Sequence, residues 1–170
     1  MPDYGKIISK ILSKIPKDKE LRISAVETKR EGEYDFLVEF APGGVLPVVS
    51  ASIPIHFEEV QPEVFLPRVR GMVVPSIILR ESGTEVDSER NIAGIIFNAA
   101  QQAKEWATKE HFDPDKGDTE KRISPETFRK TFYRHITRGL IAAGAIWSGY
   151  DPIANPVHAA YLARVARVSK

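Results

Sequence analysis

Apolar residues recur at three- and four-residue spacing through Tyr4, Ile7, Ile8, Ile11, Leu12 and Ile15, with Lys6, Lys10 and Lys14 on the opposite side. That spacing predicts an amphipathic helix over residues 3–15, capped by Asp3 and stopped by Pro16. The period then changes to two. Leu21, Ile23 and Ala25 alternate with polar neighbours, as do Tyr34, Phe36, Val38 and Phe40, and Lys29 to Glu33 with Gly32 supplies a turn. This predicts an antiparallel hairpin. Pro42-Gly43-Gly44 predicts the next turn, and Val45 to Phe57 a third strand with Val49, Ala51, Ile53, Ile55 and Phe57 on one face. Met72 to Arg80 reads as a fourth strand.

Between them, residues 58–71 read as a long loop or arm carrying Val60, Val64, Phe65 and Leu66. Prolines at 47, 54, 62, 67 and 75 break this part of the chain, and proline belongs at sheet edges, strand starts and bulges. The run therefore describes edge strands and an extended arm. Apolar residues on such an arm need something to pack against.

Helical spacing returns at residues 89–110, where Ile92, Ile95, Ile96, Ala99, Ala100, Ala103 and Trp106 form a narrow stripe. Residues 111–120 are polar and contain Pro114 and Gly117, which predicts a loop. Ser124-Pro125-Glu126 opens a further helix, running through Phe128, Phe132 and Ile136 to about Trp147 and weakened by Gly139 and Gly144. Asn155-Pro156 opens a last one, with Val157, Tyr161, Val165 and Val168 on one face. The expected fold is α+β: a small antiparallel or mixed β-sheet with packed helices, an extended arm and a helical C-terminal third. Residues 1–110 form the core and 111–170 a basic helical region of the same domain.

Composition and charge then refine this picture. The 170 residues contain no cysteine, which excludes disulfides, thiolate catalysis and Cys-ligated metals. No run reaches the roughly 18 apolar residues of a membrane span, and the first residues lack a signal peptide's apolar segment, so no membrane partner is expected. The net charge of +1 conceals an asymmetry. Residues 1–120 carry 15 Lys and Arg against 21 acids; residues 121–170 carry 9 against 2. Ends of opposite sign suit head-to-tail contacts between identical subunits, and a basic end also suits nucleic acid.

Chemistry is sparse. Asp113 and Asp115 begin like a calcium loop, but Gly117 takes the third ligand position, so an acidic solvated loop is the preferred reading. His56, His111, His135 and His158 form no metal-binding spacing; His56 alternates out of phase with Ile55 and Phe57, toward solvent or a subunit boundary. No glycine-rich phosphate loop and no nucleophile elbow occurs. No catalytic residue, metal or cofactor is expected. The basic segment 121–138 is the strongest binding candidate: Lys130, Arg134 and Arg138 follow at four-residue spacing beside Arg129, and Phe128, Phe132 and Tyr133 interleave.

Ile53-Pro54-Ile55, Leu46-Pro47-Val48, Pro75-Ser76-Ile77-Ile78-Leu79 and Glu85-Val86-Asp87-Ser88-Glu89-Arg90 together resemble a pattern in tail-completion proteins of contractile-tailed bacteriophages, the tail terminators and sheath stabilisers of the neck. The resemblance covers residues 46–90. It implies a non-enzymatic virion protein, made in the host cytoplasm, that forms a homo-oligomeric ring (six-fold is the candidate order) with other tail or neck proteins. Subunits would pair by β-augmentation through Val45–Phe57, Met72–Arg80 and the arm, with Ile53, Ile55, Phe57, Val64, Phe65, Leu66, Val73 and Ile77 at the interface. Arg129, Lys130, Arg134, Arg138, Arg164 and Arg167 would face an acidic ring or DNA in the lumen. The alternatives are a nucleic-acid-binding module using residues 121–138 and a small hydrolase.

Overall fold

The computed structural model of the chain describes residues 3–81, 88–109 and 123–147. Three helices, α1 (Tyr4–Lys14), α2 (Ser88–Lys109) and α3 (Pro125–Ala142), cover one face of an antiparallel sheet. Strands β1 (Leu21–Glu27), β2 (Glu33–Phe40), β3 (Val49–Gln61), β4 (Val64–Val69), β5 (Met72–Val73) and β7 (Ile146–Trp147) neighbour one another in that order, and β6 (Leu79–Arg80) pairs with β4. This is an α+β fold.

Alternation decides which side of each strand meets the helices. Phe36, Val38 and Phe40 of β2, Val49, Ala51, Ile53, Ile55 and Phe57 of β3, and Phe65 and Val69 of β4 share one buried cluster with Ile7, Ile8 and Ile11 of α1. The same cluster takes Ile92, Ile96 and the alanines of α2, and Phe128, Phe132, Ile136 and Leu140 of α3, where Phe128 stacks on Phe40 at 6.2 Å. Each such large side chain stabilises the fold by about 1.5–3 kcal/mol through burial. On the opposite face, Leu66 and Val73 form a smaller cluster with Val60, Ile78 and Ile146.

The expected arm at 58–71 is a hairpin. β3 runs on to Gln61 and turns through Pro62 and Glu63 into β4, with Gln61 opposite Val64. Pro62 presets the first turn position and Glu63 takes φ 66° at the second, the pattern of a type II turn. Val64, Phe65 and Leu66 are thereby buried in this chain's own fold. The expected fourth strand, Met72 to Arg80, is two short strands; Arg70 and Gly71, at φ 52° and 80°, make a primed turn between β4 and β5.

The prolines fall where the ladder needs no donor. Phe57 N–H donates to the Gly32 carbonyl, so odd-numbered β3 residues bond toward β2 and even-numbered ones away. Pro54 thus lacks an N–H on the side where β4, whose pairing begins opposite His56, does not reach. The Pro67 carbonyl accepts from Val74 N–H at 3.2 Å, so the ring nitrogen of Pro67 faces the gap between β5 and β6. Pro75 lies in the excursion that makes that gap.

Helix ends follow local chemistry. The Asp3 carboxylate accepts from Lys6 N–H at 3.3 Å, and the Ser124 hydroxyl from Thr127 N–H at 3.1 Å. α3 ends at Ala142, short of the expected Trp147. Gly144, at φ 90°, donates to the Ile141 carbonyl, and Ala145 donates back to Leu140, the paired bonds of a Schellman stop. The acidic loop at 113–120 and the helix expected from Asn155 lie outside the described residues.

Candidate functional site

The side chains expected at a subunit interface lie inside the monomer. Ile53, Ile55, Phe57, Val64, Phe65, Leu66, Val73 and Ile77 are all buried. The expectation is corrected on two grounds. Their apolar surface already has partners within the chain, and β3 already pairs with β2 on one side and β4 on the other. Where β4 does not reach, α3 closes the β3 edge: Arg129 Nε donates to Ser50 O at 3.2 Å and Tyr133 Oη to Ser52 O at 2.8 Å.

That arrangement also divides the expected basic site. Arg129 turns to β3. Phe128 and Phe132 are core, and Tyr133 is held between Ser52 and the Arg70 guanidinium, 5.2 Å over its ring. None of these aromatic rings is a platform for bases. Arg164 and Arg167 lie outside the described residues. Lys130, Arg134 and Arg138 are brought together on the exposed face of α3. Their row starts two residues after Phe128, which is about 200° around the helix from the buried row.

These three side chains line a groove between α2 and α3 of about 870 Å³. Gln102 and Trp106 contribute from α2, and Thr127, Thr131 and His135 from α3. Trp106 departs from the expected packed stripe: it is 47% exposed, and the buried row continues through Ala103 to Ala107 instead. An indole does not fit where small side chains set the helix separation. Lys109 Nζ stands 5.3 Å over the Trp106 ring. Glu126 and Lys130 pair at 2.8 Å, while Arg134 and Arg138 have no acidic partner among the described residues. Burial, then Arg138 and Arg134, pushes the His135 imidazole below its ordinary pKa, leaving it neutral in this cationic setting.

A second exposed feature is β1. Thr28 N–H donates to Glu33 O and Ala41 N–H to Glu20 O, so even-numbered β1 residues bond toward β2. The N–H and C=O groups of Ile23 and Ala25 consequently point along an outer edge that pairs with no strand among the described residues. Seven residues run in unbroken register there, without proline or bulge. Val26 on the strand, and Val45, Leu46 and Val48 in the loop that Arg22 ties to it through the Val45 carbonyl, are 55–69% exposed.

Two further charged groups brace the scaffold. Lys104 of α2 bridges Asp18 at 3.0 Å and Glu20 at 3.4 Å, and Glu20 Oε2 also accepts from Gly43 N–H. Burial pushes the Asp18 carboxyl up, but the Glu20 N–H and Lys104 outweigh it and hold it low; the Gly43 N–H chiefly holds Glu20 low. On the open sheet face Arg68 pairs with Glu58 at 2.6 Å beside His56, which is half-buried with Nδ1 unpartnered among the described residues. Burial first, then Arg30, depresses its pKa. Among the described residues no cluster of three His, Asp or Glu is placed to hold a metal, and no helix is long and apolar enough to cross a membrane. No protein-family model matches the sequence, and neither a curated protein nor a solved structure does.

Proposed function

We propose that this chain is a non-enzymatic structural subunit that assembles with copies of itself through the open edge of β1. The observation that carries this reading is that edge: a long, regular strand with outward N–H and C=O groups at Ile23 and Ala25, flanked by exposed Val26, Val45, Leu46 and Val48. Soluble domains normally blunt such an edge with lysine, proline or a bulge, because it templates pairing with another chain. The mechanism is β-augmentation, at β1 and not at β3 or the 58–71 hairpin.

The contact runs head-to-tail. β1 and β7 are the two ends of the strand order. Pairing β1 with the β7 side of the next copy is a heterologous contact, which closes into a ring when the rotation between copies permits, whereas β1 against β1 gives only a two-fold dimer. The resemblance of residues 46–90 to tail-completion proteins supports assigning such a ring to the tail or neck of a contractile-tailed phage virion.

Light scattering after size exclusion tests the assembly. Wild type is expected above dimer mass, and Ala25→Pro, which removes an outward N–H but no bond to β2, is expected to reduce it to monomer. A wild-type monomer at every concentration and salt, or a mass unchanged by Ala25→Pro, overturns the reading.

A further inference from the structure

We propose that the groove between α2 and α3 binds single-stranded nucleic acid, with Arg134 and Arg138 on successive phosphates and Trp106 as a stacking platform for a base. The inference rests on the groove alone and is independent of assembly through β1.

Three features of the groove point to this ligand. Arg134 and Arg138 are exposed, one helical turn apart on the same face as Lys130, and neither meets an acid among the described residues. Like charges at this spacing repel, so the row is held against its own electrostatics until an anion with repeating charge lies along it. A phosphate backbone is such an anion, and planar guanidinium forks match phosphate oxygens. Trp106 and Gln102 form the opposite wall. An indole ring 47% exposed beside a cationic row is the pairing that single-strand-binding surfaces use, with bases stacked on aromatic rings while the backbone follows the charges. Lys109, already over the ring, adds a cation at the point where the strand would leave.

The shape separates the candidate polyanions. The exposed cationic row of α3 borders the groove, with Trp106 of α2 on the facing wall, so a ligand that follows the row also meets the indole, which a duplex with its bases stacked inside does not use. An acidic peptide would answer the charge but make no use of the exposed indole surface. A splayed strand satisfies both. The Glu126–Lys130 pair at 2.8 Å sets one end of the cationic track.

The test is fluorescence anisotropy of a labelled thymidine 20-mer with the full-length protein, beside a duplex of equal length and an oligoglutamate of matched charge. The single strand is expected to bind tightest, with a log–log salt slope of about −1.4 to −2.1 for two or three phosphates. Arg134→Glu/Arg138→Glu is expected to weaken it at least tenfold. Trp106→Ala is expected to weaken it about 5- to 150-fold, the range for one lost base stack, while leaving oligoglutamate binding unchanged. Both substitutions are at exposed positions, and circular dichroism verifies that the variants remain folded. Binding no tighter than to oligoglutamate, preference for duplex, or retention of affinity in either variant overturns the proposal.

Discussion

Gly139 sits inside α3, where helix propensity alone favours alanine by about 1 kcal/mol. The packing argues the other way. A Cβ at position 139 would lie 2.9 Å from Ile95 Cγ2 and 3.2 Å from Cγ1, both on α2. Isoleucine in a helix is confined almost entirely to one χ1 rotamer, so those two carbons cannot swing aside and the helices must separate. Overpacking of this kind costs about 1–3 kcal/mol, which exceeds or cancels the propensity gain. Gly139→Ala is therefore expected to destabilise the protein by about 0–2 kcal/mol. In an Ile95→Ala background the obstruction is gone, and the same change is expected to stabilise by about 1 kcal/mol. Urea denaturation of the four proteins of this cycle, followed by far-UV circular dichroism, gives the coupling energy, expected at about 1–3 kcal/mol. Additive effects, with Gly139→Ala stabilising in both backgrounds, would refute the close α2–α3 approach.

Other perturbations address the turns and the charged scaffold. Gly32 holds φ 78°, and a Cβ there would come within 2.8 Å of the Tyr4 ring, so Gly32→Ala is expected to cost about 2–4 kcal/mol in chemical denaturation. Glu63 holds φ 66° in the β3–β4 turn, so Glu63→Gly is expected to raise stability by about 0.5–1 kcal/mol, seen as a higher midpoint in urea. Asp18 and Glu20 have depressed pKa values in the folded state, so their contribution is complete above the ordinary carboxylate range near pH 4 and is lost as pH falls through their folded values. Lys104→Met is expected to cost about 0.5–1 kcal/mol at pH 7 and to flatten that acid limb in thermal melts from pH 7 to 2.5.

Much of the fold is legible in the sequence because burial here follows simple periods. The two-residue alternation through Phe36, Val38 and Phe40, and from Val49 to Phe57, identifies the buried sheet face, and the Ile7–Ile11 and Ile92–Ala103 spacings identify helix faces. The 58–71 hairpin was not legible. Pro62 and Pro67 look like interruptions until the register shows one in a turn and the other facing a gap between strands. Ile53, Phe65 and Leu66 look like interface residues for the same reason, whereas their apolar character serves the core. Gly144 carried a readable signal as a helix stop, and Trp106 among alanines carried one as a border residue. The open edge of β1 was not readable at all, because alternation marks a strand's faces and says nothing about which strand ends a sheet.

Amide hydrogen exchange along β1, followed as a function of protein concentration, tests the assembly claim most directly. Arg22, Ser24 and Val26 donate toward β2 and are expected to be protected at every concentration, whereas Ile23 and Ala25 gain a partner only when a second copy pairs with the edge. Slow exchange at Ile23 and Ala25 in concentrated protein, lost on dilution, is the predicted result. Exchange at unprotected rates at those two amides under all conditions would contradict it.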